Sequence, residues 1–219
     1  MTKVIIQKAI LAKNSDLADK LREETAKRKL YIVNLMASPG AGKTSFILSV
    51  TPFLRKKGVE VAVIEGDIAS CIDADTLNNK GIEAVQINTG GSCHLDAYMI
   101  ELALNEVKAE SGIIFIENVG NLICPAGFDL AEDIKVLLPS VPEGDDKAFK
   151  YISMYSNVDV IALNKWDMAR LFDFNLETYL SGVKAINAAA PVFKISAKTG
   201  EGIKEIADKF FDEYCHKFG

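Results

Sequence analysis

From Leu30 to Lys57 the chain runs from an apolar stretch of strand character (LYIVNLMA), through a short loop with glycines at 40 and 42, into helical apolar spacing over Ser45 to Lys57. A strand that turns at glycines directly into a helix opens a crossover unit, which returns the chain to lay a second strand parallel to the first. Short β-branched runs alternating with longer amphipathic stretches continue at Val59 to Ile64, Ala84 to Ile87, Ile113 to Glu117, Ile134 to Pro139, Val158 to Leu163 and Val192 to Ile195. Near-continuous apolar strands belong to sheets covered on both faces. The expected fold is α/β, a doubly wound, mainly parallel sheet flanked by helices. Before the first strand, Ile5, Ile6, Ile10, Leu17 and Leu21 share a helical face, which predicts a leading helix over about residues 1–29. With 219 residues, no repeat and no linker run, the chain is expected to form one domain, 1–219.

The loop between the first strand and helix reads Ala37-Ser38-Pro39-Gly40-Ala41-Gly42-Lys43-Thr44-Ser45. Gly40 and Gly42 free the backbone to turn its N–H groups toward phosphate oxygens, and the following helix adds its positive end. Lys43 is placed to reach the β- and γ-phosphates and the Thr44 hydroxyl to hold Mg²⁺, the division of labour of a P-loop NTPase. Ala37 stands where the pattern usually has its first glycine.

Asn164-Lys165-Trp166-Asp167 follows the run Val158 to Leu163 and selects the base. The Asp167 carboxylate can accept from both N1–H and the exocyclic amine of guanine, whereas adenine offers neither there. Asn164 supports the loop, the Lys165 stem packs on the ring, and Ser196-Ala197-Lys198 after the last strand closes over the base. The expected ligands are GTP and GDP.

Between these motifs lie candidates for sensing the γ-phosphate. Glu65-Gly66-Asp67 closes the second strand, and Asp73 follows in the loop Ile68 to Asp75. Asp67, more than Asp73, is expected near Mg²⁺, which takes a few carboxylates, phosphate oxygens and retained waters; Asp73 or Asp75 otherwise begins a helix. Glu117-Asn118-Val119-Gly120 ends the strand Ile113 to Ile116, where Glu117 is placed to orient the metal shell or the attacking water and Gly120 to meet the γ-phosphate. Lys43, Asp67 and Glu117 are the expected catalytic groups. No arginine finger is evident, so hydrolysis by one protomer alone is expected to be slow.

Lys plus Arg number 25 against 30 Asp plus Glu, with no basic tail, so neither nucleic acid nor an anionic membrane is expected as partner. The N-terminal twenty residues carry charge in every turn and lack a long apolar run, which argues against a signal peptide or membrane span and for a cytoplasmic protein. Thiols stay reduced there, so Cys71, Cys93, Cys124 and Cys215 read as free, buried or metal-binding. Cys93-His94, taken to start a helix, and Cys124, just past the Glu117 to Gly120 segment, offer donors that suit Ni²⁺ and Zn²⁺ alike. Three donors leave the shell incomplete, and a twofold axis through the site would double them. From the residues alone, packing is as good an explanation of these cysteines as a site. Cys71 reads as a small hydrophobe and Cys215-His216 as chance.

The string Thr89 to Ala97 (TGGSCHLDA) resembles the signature of the HypB-type GTPases that assist nickel insertion into [NiFe]-hydrogenase. SPGAGKT, Glu65-Gly66-Asp67, ENVGNLICPA (Glu117 to Ala126), Phe128-Asp129-Leu130, EGDDK (Glu143 to Lys147) and Asn164 to Asp167 resemble that family in the same order, from about Asn34 onward. The resemblance implies a GTPase of the SIMIBI class that dimerises around nucleotide, Mg²⁺-dependent hydrolysis, and a Ni²⁺ or Zn²⁺ site at Cys93, His94 and Cys124. It also implies a HypA-type metallochaperone and a hydrogenase large subunit as partners. Some relatives carry an N-terminal cysteine motif or a histidine-rich stretch; no Cys or His precedes Tyr31 here, so tight nickel storage at the N-terminus is not expected. Tyr98 stands where certain relatives have a second histidine, which argues against a second bridging metal. A urease-accessory-type GTPase, or a signalling GTPase without metal delivery, are the alternatives.

Overall fold

The structure, a computed structural model, describes residues 2–67 and 72–219, with the side chains of 2–10 and 72 outside the description. Cys71, and the side chains of Ile5, Ile6 and Ile10 from the expected leading helix, therefore lie outside the described residues. Among the described residues seven strands form one sheet: β1 (Leu30–Met36), β2 (Val61–Asp67), β3 (Glu83–Asn88), β4 (Gly112–Glu117), β5 (Ile134–Leu137), β6 (Val160–Leu163) and β7 (Val192–Lys194). Their order is β3-β2-β4-β1-β5-β6-β7, and every pairing is parallel.

The helices are α1 (Thr2–Lys27), α2 (Lys43–Lys56), α3 (Ile72–Asn79), α4 (Ala97–Glu106), α5 (Lys147–Lys150), α6 (Ile152–Ser156), α7 (Leu176–Ile186) and α8 (Ile203–Phe218). Successive strand side chains point to opposite faces, which sorts the apolar run of β1. Tyr31, Val33 and Leu35 pack with Phe46, Ile47 and Val50 of α2 and with Ile206 and Phe210 of α8; Leu30 and Ile32 pack with Leu21 of α1 and Ile100 and Leu104 of α4. Met36, Leu137, Ile161 and Leu163 join Tyr155 of α6 and Tyr179 of α7 in a third cluster. No helix among the described residues is long and apolar enough to cross a membrane.

All seven expected strands are present, with shifted ends. β2 starts at Val61 because Gly58, at φ 80°, turns the chain out of α2, and it continues through Glu65 and Gly66 to Asp67, where the sequence shows charge rather than apolar pattern. Two placements are corrected. Cys93 and His94 do not start a helix: Gly90 and Gly91, at φ 59° and 104°, make a loop, and α4 begins only at Ala97, capped by the Asp96 carboxylate on the Met99 N–H at 2.9 Å. Asp73 lies in the first turn of α3 rather than in a loop, with Asp75 beside it.

Candidate functional site

The C-terminal ends of the strands bring the motifs together, as expected of a parallel sheet whose loops all emerge from one edge. The loop from β1 to α2 turns at Gly40 (φ 72°) and Gly42 (φ 101°). A Cβ on Gly42 would lie 2.8 Å from Nδ2 of Asn164, so the position needs glycine for its backbone and for the close approach. Asn164 donates to the Ala41 carbonyl at 2.9 Å and accepts from the Ala197 N–H at 3.1 Å, while Lys165 Nζ donates to the Gly40 carbonyl at 2.7 Å. Buried Asn164 thus holds three loops, distant in sequence, in one arrangement. The Ser196 hydroxyl donates to Asp167 at 2.6 Å. Gly42, Ser45, Asn164, Lys165, Asp167, Ser196, Ala197 and Lys198 line a cavity of about 220 Å³. A larger cleft of about 550 Å³ lies at the other end of the strands, among Arg22, Asp133 and Asp159, and contains none of the motifs.

Beside this cavity the sheet register sets two carboxylates side by side. Glu65 of β2 pairs with Glu117 of β4, and both are buried. Asp73 of α3 joins them, the three presenting carboxylate oxygens within 4.8 Å of one another. Thr44 Oγ1 donates to Glu117 at 3.1 Å, and Lys43 Nζ lies 3.8 Å from the same oxygen. One oxygen of Glu65 and one of Glu117 are buried without a hydrogen-bond partner. Buried unpaired oxygens beside a phosphate loop are a donor set that fits a hard divalent cation. Burial pushes the Glu65 carboxyl up to about 8, helped by Glu117, Asp67 and Asp73, and burial pushes Glu117 up to about 7 against the opposing pull of Lys43. Asp67 ends β2 next to this group. Glu65 is a candidate ligand that the sequence did not single out, since its place beside Glu117 is set by the pairing of β2 with β4. Gly120 lies against the phosphate loop, where a Cβ would meet Pro39 at 3.1 Å.

Cys93, His94 and Cys124 converge as well, their donor atoms within 4.8 Å of one another. Cys93 and His94 come from the β3–α4 loop, and Cys124 from the segment after β4, where Pro125–Gly127 forms a single 3-10 turn. Leu95, two residues past Cys93, is fully buried against β2, and a Cβ on Gly66 would lie 2.8 Å from its side chain. The metal-type loop therefore rests directly on the strand that carries Glu65 and Asp67. The His94 ring stacks on Phe128, centroids 3.9 Å apart, and burial lowers its pKa, favouring the neutral imidazole that a metal needs. The Cys93 thiol is held above its ordinary pKa by the hydrogen bond with Cys124. Neither Cys215 nor His216 joins this cluster, and Tyr98 is 59% exposed on α4.

The family model of the CobW/HypB/UreG nucleotide-binding domain matches residues 31–194. The hydrogenase maturation factor HypB of Azotobacter vinelandii is 43% identical over 201 residues, which cover 91% of this chain and 66% of that protein; the chain spans about two thirds of that relative. The hydrogenase/urease maturation factor HypB of Helicobacter pylori is 39% identical over 207 residues, covering 92% of this chain and 84% of that protein. Among solved structures, HypB from Helicobacter pylori in complex with nickel superposes with a TM-score of 0.89 at 36% identity, covering 94% of this chain and 97% of the other. HypB from Archaeoglobus fulgidus gives 0.84 at 36% identity, with 93% and 100% covered. With the family model matched over most of its length and HypB proteins aligned along nine tenths of it, the chain belongs to the CobW/HypB/UreG family, in its HypB branch.

Proposed function

We propose that this chain, acting as one domain with a leading helix, is a Mg²⁺-dependent GTPase that binds nickel, or zinc, at Cys93, His94 and Cys124 and supports nickel insertion into [NiFe]-hydrogenase. The observation that carries the reading is the seating of the Cys/His loop on β2 through Leu95 and Gly66, one residue from both Glu65 and Asp67. The nickel-bound Helicobacter pylori relative supports the choice of cargo.

The chemistry follows from the residues. Backbone N–H groups from Gly40 to Ser45 and the start of α2 cradle the phosphates. Lys43 and Thr44, which lie beside Glu117, are placed to reach the phosphate oxygens. Thr44, Asp67 and Asp73, with Glu65, would hold Mg²⁺, which when bound would supply charge neutralisation on the phosphates. Glu117 would orient the attacking water and Gly120 would meet the γ-phosphate, with hydrolysis slow and regulatory. Asp167, steadied by Ser196, reads guanine, with Asn164, Lys165, Ala197 and Lys198 around the base. Because Cys124 lies seven residues beyond Glu117, nucleotide state reaches a metal ligand through a short segment.

Three protein donors leave the shell incomplete. Ile123 beside Cys124 is 71% exposed, an apolar surface suited to a second copy that would complete it. The proposed cycle is a GTP-assembled homodimer holding metal and a GDP state releasing it, with a HypA-type metallochaperone and a hydrogenase large subunit as partners, in the cytoplasm. Relatives described as serving both hydrogenase and urease favour testing urease maturation as a second recipient. The test is size-exclusion chromatography with elemental analysis on reduced protein, comparing GDP with a non-hydrolysable GTP analogue in Ni²⁺. A metal-holding dimer with the analogue alone, lost in Cys93→Ala with Cys124→Ala while GTP binding persists, is the expected result. Metal occupancy that ignores nucleotide would leave a GTPase without a delivery role, and no metal in any state would leave a signalling GTPase.

A further inference from the structure

The leading helix α1 grips α4 at both ends. At one end Asn14 accepts from the Ala97 N–H at 2.8 Å and donates its amide to the Asp129 carbonyl at 2.8 Å. At the other, Arg28 donates to the carbonyls of Leu104, Val107 and Ala109, where α4 runs out. Asn14, Ala18 and Leu21 recur at helical spacing, Arg28 follows the last residue of α1, and the buried Ala18 and Leu21 fix that face of α1 against α4.

The two partners of Asn14 belong to different segments. Ala97 lies three residues after His94, and Asp129 follows Phe128, whose ring stacks on His94. Asp129 is in turn paired with Arg22, two turns further along α1. One side chain thus ties the segment bearing Cys93 and His94 to the segment bearing Cys124 and Phe128. Ala97 is fully buried, so its N–H has no route to water without Asn14. α4 keeps its own cap through Asp96 and Met99, so losing Asn14 frees the loops without unwinding the helix.

We infer that Asn14 is a positioning residue for the metal site, holding the β3–α4 loop and the Cys124–Asp129 segment at the spacing that lets Cys93, His94 and Cys124 bind one ion. This rests on the proposed assignment of those three residues as ligands. Outer partners that orient ligands typically change metal affinity tenfold to a hundredfold when removed.

The test titrates Ni²⁺ into the reduced full chain, reading affinity and the thiolate-to-nickel charge-transfer absorption. Cys93→Ala comes first: abolished binding supports the ligand assignment, and unchanged binding overturns it together with the role of Asn14. Asn14→Ala is expected to weaken nickel binding about tenfold or more and to alter the absorption. Asn14→Asp keeps the acceptor for Ala97 but sets a carboxylate against the Asp129 carbonyl, so it too should weaken binding. Arg28→Ala is the matched control, since it loosens the distant end of α4: it should lower the melting temperature and leave nickel affinity and spectrum unchanged. Native affinity and spectrum in Asn14→Ala, with Cys93→Ala inactive in binding, would overturn the inference alone. So would equal loss in Asn14→Ala and Arg28→Ala, which would reduce both to general stability.

Discussion

The side-chain amide of Asn164 reaches the Ala41 carbonyl at 2.9 Å and stands 2.8 Å from where a Cβ on Gly42 would be. Each residue is therefore the reason for the other. Asn164→Ala removes a buried amide with two hydrogen bonds, and GDP binding should weaken by roughly 30- to 100-fold, the equivalent of about 2–3 kcal/mol. Gly42→Ala should be worse, because it adds a clash to an unfavourable φ. Titration with a fluorescent guanine nucleotide checks both, and native affinity in Gly42→Ala would refute the packing argument.

Asp167 shares a short hydrogen bond with Ser196 and lines the base cavity. Asp167→Ala should reduce GTP affinity by about two orders of magnitude and leave ATP binding as weak as before, since a polar site discriminates by what the wrong base leaves unpaired. Competition between the two nucleotides measures it. A variant that still prefers GTP by the native margin would assign the base to other residues.

The paired carboxylates of β2 and β4 predict a pH effect with a definite sign. Glu65 is raised to about 8 and Glu117 to about 7, chiefly by burial, from an ordinary 4.5. Between 4.5 and those values the folded chain binds more protons than the unfolded chain, so the stability of the ligand-free protein falls as pH rises through that window and levels off above it. Glu65→Gln should flatten the fall, by on the order of 1 kcal/mol between pH 5.5 and 8.5. Urea unfolding without nucleotide or Mg²⁺ at the two pH values decides the matter; stability that climbs with pH would contradict it.

Gly66 is the seat of Leu95. Gly66→Ala must push the buried leucine away by a few tenths of an ångström or more, at a cost of about 1–3 kcal/mol, and the displacement is transmitted to Cys93 and His94. Nickel binding is expected to suffer more than nucleotide binding, and calorimetric titrations of each ligand measure the ratio. Losses of equal size would mean that the strand, rather than the loop, had been disturbed.

Much of this was legible in the sequence for local reasons. Strands such as Ile113 to Glu117 announce themselves as apolar runs, and the phosphate loop by its glycines. The role of Glu65 was not legible, because it depends on β2 lying next to β4, and strand order is a long-range property. Cys93 and His94 were misplaced onto a helix because apolar spacing resumes at Leu95, whereas the helix waits for the Asp96 cap. The bridge from Asn14 to Ala97 and Asp129 joins segments with no local pattern in common. Residue type left Cys93, His94 and Cys124 divided between packing and a site, and the family resemblance pointed to a site; only the fold brings their donor atoms together.

The strand order β3-β2-β4-β1-β5-β6-β7 leaves β1 without a neighbour until β4 has been made. During synthesis the apolar stretch Leu30 to Met36 therefore emerges with both edges open, and neither β2 nor β3 can close them. A chain that stalls before Gly112 can pair β2 with β3 yet exposes the future centre of its own sheet, the strand edge most prone to stick to another copy. The first strand of this protein thus gains its first sheet neighbour only when the second half of the chain begins, with β4 at Gly112.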